Sequence, residues 1–286
     1  MKLGFIGFGN LGKAIATRLA ECGHDLYIWN RTPSKIGSIK ANMLSSPEAI
    51  VNECAMTFLC LFDSEAVESL LLGEKGILKT NCSDKIIIDF TTNSYKKVLN
   101  FHDECNKRNL YYLESPVLGS VVPARQGNLT ILVSGKSEAF EKVKPVLESL
   151  GKHIFYLETP GKATQMKLVN NLVLGSFMAT IAESIATAEK LGISKEQAIE
   201  ILSVGGGDSL VLRAKKEKLL NEDFSTHFSN ALIYKDINCL QEIAYDNKIP
   251  IFTASLVKEL YASTFTQNFP EEDFSSIYKL FKNNLK

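Results

Sequence analysis

Hydrophobic positions divide the chain near residue 160. Before that point short apolar runs alternate with segments whose apolar residues recur every three or four positions, and after it only the helical period remains. The runs at residues 3–6, 25–29, 55–61, 85–90, 110–113, 129–134 and 153–157 predict strands. Strands alternating with helices predict a doubly wound, Rossmann-type sheet, closing near Glu158. Ser46 before Pro47 predicts an N-cap and first helical turn, and Ser137 precedes another helix. Thr159, Pro160 and Gly161 break the alternation. Helices are then predicted at 194–202, where Ser194 and Gln197 form a capping box, and at 210–220, 228–246, 252–264 and 274–285. The expected architecture is α/β: a nucleotide-binding domain over residues 1–162 and an all-helical domain over 163–286.

Between these halves, residues 164–191 contain no proline and one glycine, Gly175, with apolar side chains on every face. A helix apolar all round must be buried. Asn170 and Asn171 interrupt the run and Glu183 ends it, which argues for a core helix over a membrane span. Lys167 and Asn171 lie one turn apart and share a face. On the helix alone, a lysine whose ammonium reaches water from the helix end would account for Lys167. Its place just beyond Gly161, at the junction of two domains where ligands commonly bind, points instead to a functional group in a desolvated setting.

The first strand runs into Gly7, Gly9 and Gly12, and helical spacing follows until Gly23. In this strand–turn–helix context the first glycine allows the tight turn, the second lets the backbone approach a pyrophosphate, and the third lets helix and strand pack closely. The helix N-terminus then offers N–H groups to the phosphates. An acidic residue roughly 20 positions beyond the last glycine would accept from an NAD ribose hydroxyl. This chain has Asn30, Arg31 and Thr32 there instead. A guanidinium suits a 2′-phosphate, so NADP(H) is expected over NAD(H).

Composition narrows the alternatives. Lys plus Arg and Asp plus Glu both number 32, so the net charge is zero and no basic surplus exists to neutralise a nucleic-acid backbone. The 6 cysteines show no C-x-x-C pair and the 4 histidines no ligand spacing, so neither a disulfide framework nor a metal site is expected. Met1 and Lys2 lead straight into the first strand, which leaves no room for a cleavable signal. A cytoplasmic protein that binds neither nucleic acid nor membrane is the expectation.

Four blocks carry a resemblance that extends over essentially the whole chain: Gly7-Phe8-Gly9-Asn10-Leu11-Gly12; Asp89-Phe90-Thr91-Thr92; Pro116-Val117-Leu118-Gly119-Ser120 followed by Ala124, Gly127 and Leu129; and Gly161 with Lys167-Leu168-Val169-Asn170-Asn171. Lys235-Asp236, shortly after Phe228, matches a fifth. In these blocks the chain resembles the β-hydroxyacid dehydrogenase family, which includes 3-hydroxyisobutyrate dehydrogenases and glyoxylate/succinic semialdehyde reductases. The resemblance implies that Lys167 is the catalytic lysine and that Asn171 orients the substrate. It implies that Thr92 meets the nicotinamide end, that Leu61 and Phe62 lie along the nucleotide, and that Lys235 closes over the cofactor. Gly119 and Ser120 would bind the substrate carboxylate, with Asp236 and Phe228 nearby. Many relatives have serine where this chain has Leu118, and Ser120 stands where glycine is common.

The implied reaction is reversible reduction of a short aldehyde or keto acid bearing a carboxylate, with hydride from NADPH and a proton from Lys167. An imine reductase of the same fold is the alternative enzyme, although those generally replace the lysine. A non-catalytic NADP-binding protein is the alternative of another class. Association of the helical domain into a homodimer or homotetramer is also implied.

Overall fold

The computed structural model of the chain describes residues 1–36 and 39–284. Two compact units make it up, Met1–Lys167 and Leu168–Lys286, and they divide within one long helix. In the first unit, strands β1 (Lys2–Ile6), β2 (Asp25–Trp29), β3 (Asn42–Met43), β4 (Met56–Leu59), β5 (Ile86–Asp89) and β6 (Tyr111–Glu114) form a parallel sheet ordered β3-β2-β1-β4-β5-β6. The helices α1 (Asn10–Glu21), α2 (Pro47–Glu53), α3 (Ser64–Leu72) and α4 (Tyr95–Asn106) connect them. The central strands are nearly continuous runs of apolar residues because both faces are covered. Phe5, Phe58 and Phe90 stack across that sheet with centroids 6.4 and 5.5 Å apart. The caps are local: Ser46, Asp63 and Ser94 each accept from an N–H in the first turn of α2, α3 and α4.

The sheet does not continue as one surface to Glu158. Only Ser115 and Pro116 separate β6 from β7 (Val117–Leu118), too few for the crossover that a further parallel strand needs. So β7 turns away and pairs antiparallel with β8 (Leu129–Val133), which pairs parallel with β9 (Gly151–Tyr156) in a separate three-stranded sheet. Helices α5 (Val121–Gln126) and α6 (Ser137–Leu147) complete it. An isolated bridge between Glu114 and Ser134 joins the two sheets.

Helix α7 (Lys162–Lys190) crosses from the first unit into the second. By length and composition it is apolar enough to span a bilayer, so interruption by Asn170 and Asn171 does not by itself exclude a membrane span; 44% of its apolar window is buried inside the protein. The second unit continues with α8 (Lys195–Val204), α9 (Leu210–Asn221), α10 (Asn230–Asp246), α11 (Phe252–Thr266) and α12 (Tyr278–Asn284). Leu285, where the sequence ends the last helix, lies outside the described residues. The helices pack around Met178, Ile185, Leu212, Ile237 and Tyr261. Into that core the chain also buries an ion pair, Lys215 Nζ to Asp273 at 2.8 Å, with further donors to Asp273 from the N–H groups of His227 and Phe228.

Candidate active site

The glycine turn between β1 and α1 has a physical reason for each glycine. Gly7 has φ +104°, and a Cβ there would collide with the carbonyl of Cys60. At Gly12 a Cβ would strike the carbonyl of Gly7, so the helix could not lie this close to the strand. Gly9 is different: a Cβ on it would meet nothing within 4 Å, which leaves bare backbone facing open space. Unlike α2, α3 and α4, α1 has no side-chain cap. A helix start without a side-chain cap, beside a turn whose Phe8 ring is buried and whose Gly9 leaves the backbone open, fits a pyrophosphate.

Phe8 and Asn30 hold this turn together. Phe8 buries its ring edge-on to Phe5 at 5.6 Å, and its N–H donates to Asn30 Oδ1 at 3.0 Å. Asn30 Nδ2 donates in turn to the Thr32 carbonyl at 2.7 Å. The amide of Asn30 is thus spent on the protein, and Arg31 and Thr32 are left exposed at the end of β2. Asn10 is exposed at the helix start and Leu11 is half-buried behind it.

The next two strand ends are tied to each other. Leu61 N–H donates to Thr91 Oγ1 at 2.9 Å. Asp89, fully buried, accepts from Thr91 N–H at 2.9 Å, Asn93 Nδ2 at 2.8 Å and Tyr112 hydroxyl at 2.6 Å. Burial pushes the Asp89 carboxyl above its ordinary range despite those donors. The result is a rigid turn that carries half-buried Thr92, with Leu61 half-buried and Phe62 exposed beside it. Gly119 and Ser120 follow β7 at the start of α5, and Leu118 pairs with Thr130 of β8.

Lys167 is 8% exposed, in the second turn of α7. Ahead of it, Gly161 N–H donates to Glu114 Oε1, and Thr164 donates both its N–H, at 3.0 Å, and its hydroxyl to Glu114 Oε2. Ala163 N–H donates to Ser134 Oγ at 3.0 Å, and Lys162 N–H to the Thr159 carbonyl at 3.1 Å. Sequence reading missed Glu114 and Ser134. The signal available was an acid directly before the Ser115-Pro116 block and a helix start at Gly161 with no capping side chain of its own.

In the second unit Asn171 is fully buried and donates to Asp236 Oδ2 at 2.6 Å, while Asn170 donates to Asn171 Oδ1 at 3.3 Å. Lys235 Nζ stands 3.1 Å from Asp236 Oδ1. These four residues form one polar cluster on α7 and α10. Phe228 lies outside it, edge-on to Phe274 at 5.8 Å. Among the described residues no group of three or more His, Cys, Asp or Glu is placed to hold a metal ion.

Sheet, glycine turn and helical unit define a dinucleotide-binding protein of Rossmann type. The profile of the NAD-binding domain of 6-phosphogluconate dehydrogenase matches residues 2–158, and that of the NAD-binding region of NADP-dependent 3-hydroxyisobutyrate dehydrogenase matches residues 161–281. The chain is 30% identical over 285 residues to glyoxylate/succinic semialdehyde reductase 2, chloroplastic, of Arabidopsis thaliana, covering 99% of this chain and 80% of that one. It is 31% identical over 280 residues to the cytokine-like nuclear factor N-PAC of Mus musculus, covering 98% of this chain and 51% of that one. The chain therefore spans about half the length of that relative. In fold it superposes on 3-hydroxyisobutyrate dehydrogenase from Salmonella typhimurium with a TM-score of 0.90 at 21% identity, over 98% of this chain and 100% of the other. The chain belongs to the β-hydroxyacid dehydrogenase family.

Proposed function

We propose that this chain is an NADP(H)-dependent reductase of a short aldehyde or keto acid bearing a carboxylate, reversible as a β-hydroxyacid dehydrogenase. The observation that carries this reading is Lys167: a buried lysine in the second turn of a capped helix, in a chain whose glycine turn suits a dinucleotide. The bound dinucleotide supplies the hydride. Lys167 donates a hydrogen bond to the substrate carbonyl oxygen and passes a proton to the alkoxide that develops there. In the reverse direction its neutral amine takes the hydroxyl proton. Gly119 and Ser120 hold the substrate carboxylate through N–H groups and a hydroxyl. Leu118 supplies an apolar side chain where a second hydroxyl would otherwise stand, which favours a substrate with a hydrocarbon segment beside its carboxylate. Asn171, anchored on Asp236, fixes the polar face of α7 that Lys167 shares. Arg31 takes the 2′-phosphate, which selects NADP(H).

The homo-oligomer expected from the family resemblance is part of the same reading. Met166, Val169, Val173 and Phe177 repeat at helical spacing along α7 and are 43–47% exposed. An apolar stripe of that kind suits a second copy of the chain.

The test follows NADPH absorbance with glyoxylate, succinic semialdehyde and methylmalonate semialdehyde. At least one should be reduced, and Lys167→Ala should lower kcat by about 10²- to 10⁴-fold, the usual contribution of a positioned acid. A mutant that keeps its rate would remove Lys167 from the chemistry. Binding of NADPH with turnover of none of the three aldehydes would redirect the search to imines, and then to a binding protein without catalysis.

A further inference from the structure

Asp89 and Glu114 are register partners at the carboxyl ends of β5 and β6, and both carboxylates are buried. Asp89 is committed to the Thr91 turn. Glu114 is committed to the start of α7, and it makes good a defect there. The first four N–H groups of a helix have no partner within it, and an N-cap side chain normally supplies one. At this helix the N-cap position is Gly161, which has no side chain to offer. Its φ is +88°, and a Cβ there would run into the ring of Tyr95. The cap is therefore supplied from the sheets. Glu114 takes the N–H groups of Gly161 and Thr164 and the Thr164 hydroxyl, and Ser134 takes that of Ala163. The imidazole of His102 closes the other side, its Nε2 3.8 Å from Glu114 Oε1.

We propose that Glu114 is a positioning residue for Lys167: its carboxylate fixes the rotation and height of the first turn of α7, and through it the lysine one turn later. The proposal rests on the reading of Lys167 as the acid. Three features carry it. A carboxylate at a helix N-terminus is favoured both by the hydrogen bonds and by the helix dipole. Its two oxygens grip different turn positions, so the helix cannot rotate about a single contact; a slip of one residue would turn Lys167 by about 100°. Glu114 also begins the segment that leads to Gly119 and Ser120, so one rigid piece of chain sets both the proposed carboxylate-binding turn and the proton donor.

The experiment compares wild type with Glu114→Gln, Thr164→Val and Thr164→Ser in the full chain. Two readouts need no substrate: hydrogen exchange of the peptide spanning 159–168, and the rate at which an amine reagent labels Lys167, read by peptide mass. Glu114→Gln should exchange roughly tenfold faster or more in that peptide, as expected for loss of charge-assisted hydrogen bonds, and should change the labelling rate of Lys167. In the kinetic arm kcat should fall about tenfold or more, because small misplacements of a catalytic group carry large rate costs, while the KM for NADPH stays within about twofold. Thr164→Val should move the same readouts less, and Thr164→Ser, which keeps the hydroxyl, should resemble wild type. Faster exchange with unchanged labelling and unchanged kcat would make Glu114 a stabilising cap only and overturn the proposal. If wild type reduces no carbonyl substrate, the proton-donor reading of Lys167 fails on its own. Exchange and labelling then decide whether Glu114 positions the lysine.

Discussion

Asn30 and Arg31 are neighbours at the end of β2 with different tasks. Asn30 ties the Phe8 N–H to the Thr32 carbonyl, whereas Arg31 projects outward. Replacing Arg31 with alanine should therefore raise the KM for NADPH by about 10-fold or more, the scale of a lost charge-assisted hydrogen bond to phosphate, and leave the KM for NADH nearly unchanged. Equal loss with both cofactors would place Arg31 in the turn rather than at the phosphate. Asn30→Ala should weaken both cofactors together, through a loosened turn. What could be read at this scale from sequence was what is local in sequence. Gly7, Gly9 and Gly12 stand within one turn, and Lys167 and Asn171 within one helix. The tie from Phe8 to Asn30 spans 22 positions and that from Thr164 to Glu114 spans 50, and no spacing rule reaches so far.

Among the elements, the parallel strands were legible because strands buried on both faces are nearly continuous apolar runs. Two failures have physical causes. β3 is two exposed residues, too short to leave a pattern, and β7 is likewise only two residues, Val117 and Leu118, directly after Pro116, too short to show as an apolar run of its own. The helical unit contains a further element-scale feature, the buried pair of Lys215 on α9 with Asp273. Burial alone would raise the Asp273 carboxyl, but the Lys215 ammonium, the Ser275 hydroxyl and the His227 N–H outweigh it and hold the group below its ordinary 3.8. A carboxyl lowered in the folded state contributes stability above its unfolded value, and that stability is lost as pH falls through the lower folded value. Thermal unfolding of the wild type should thus move down in temperature once pH drops below about 3.8. Asp273→Asn should lack that acid step, and at neutral pH it should lose about 3–5 kcal/mol because Lys215 is left buried and unpaired. Denaturant titrations at pH 7 and pH 3.5 check both halves.

For the whole molecule, the apolar stripe on α7 makes its own prediction. Light scattering should report a dimer or larger assembly, and replacing Val173 and Phe177 together with glutamate should shift it toward monomer. A wild-type monomer at working concentration would remove the second copy from the account. The sheet-borne cap has a bearing on recombination between relatives. The two family profiles meet between residues 158 and 161, the natural crossover for a hybrid of one parent's nucleotide half and another's helical half. A crossover there separates Gly161 and Thr164 from Glu114 and Ser134, so the long helix would come from one parent and the acceptors that start it from the other. Such hybrids should succeed only where the first parent carries an acid and a hydroxyl at these two positions, whatever the overall identity of the pair.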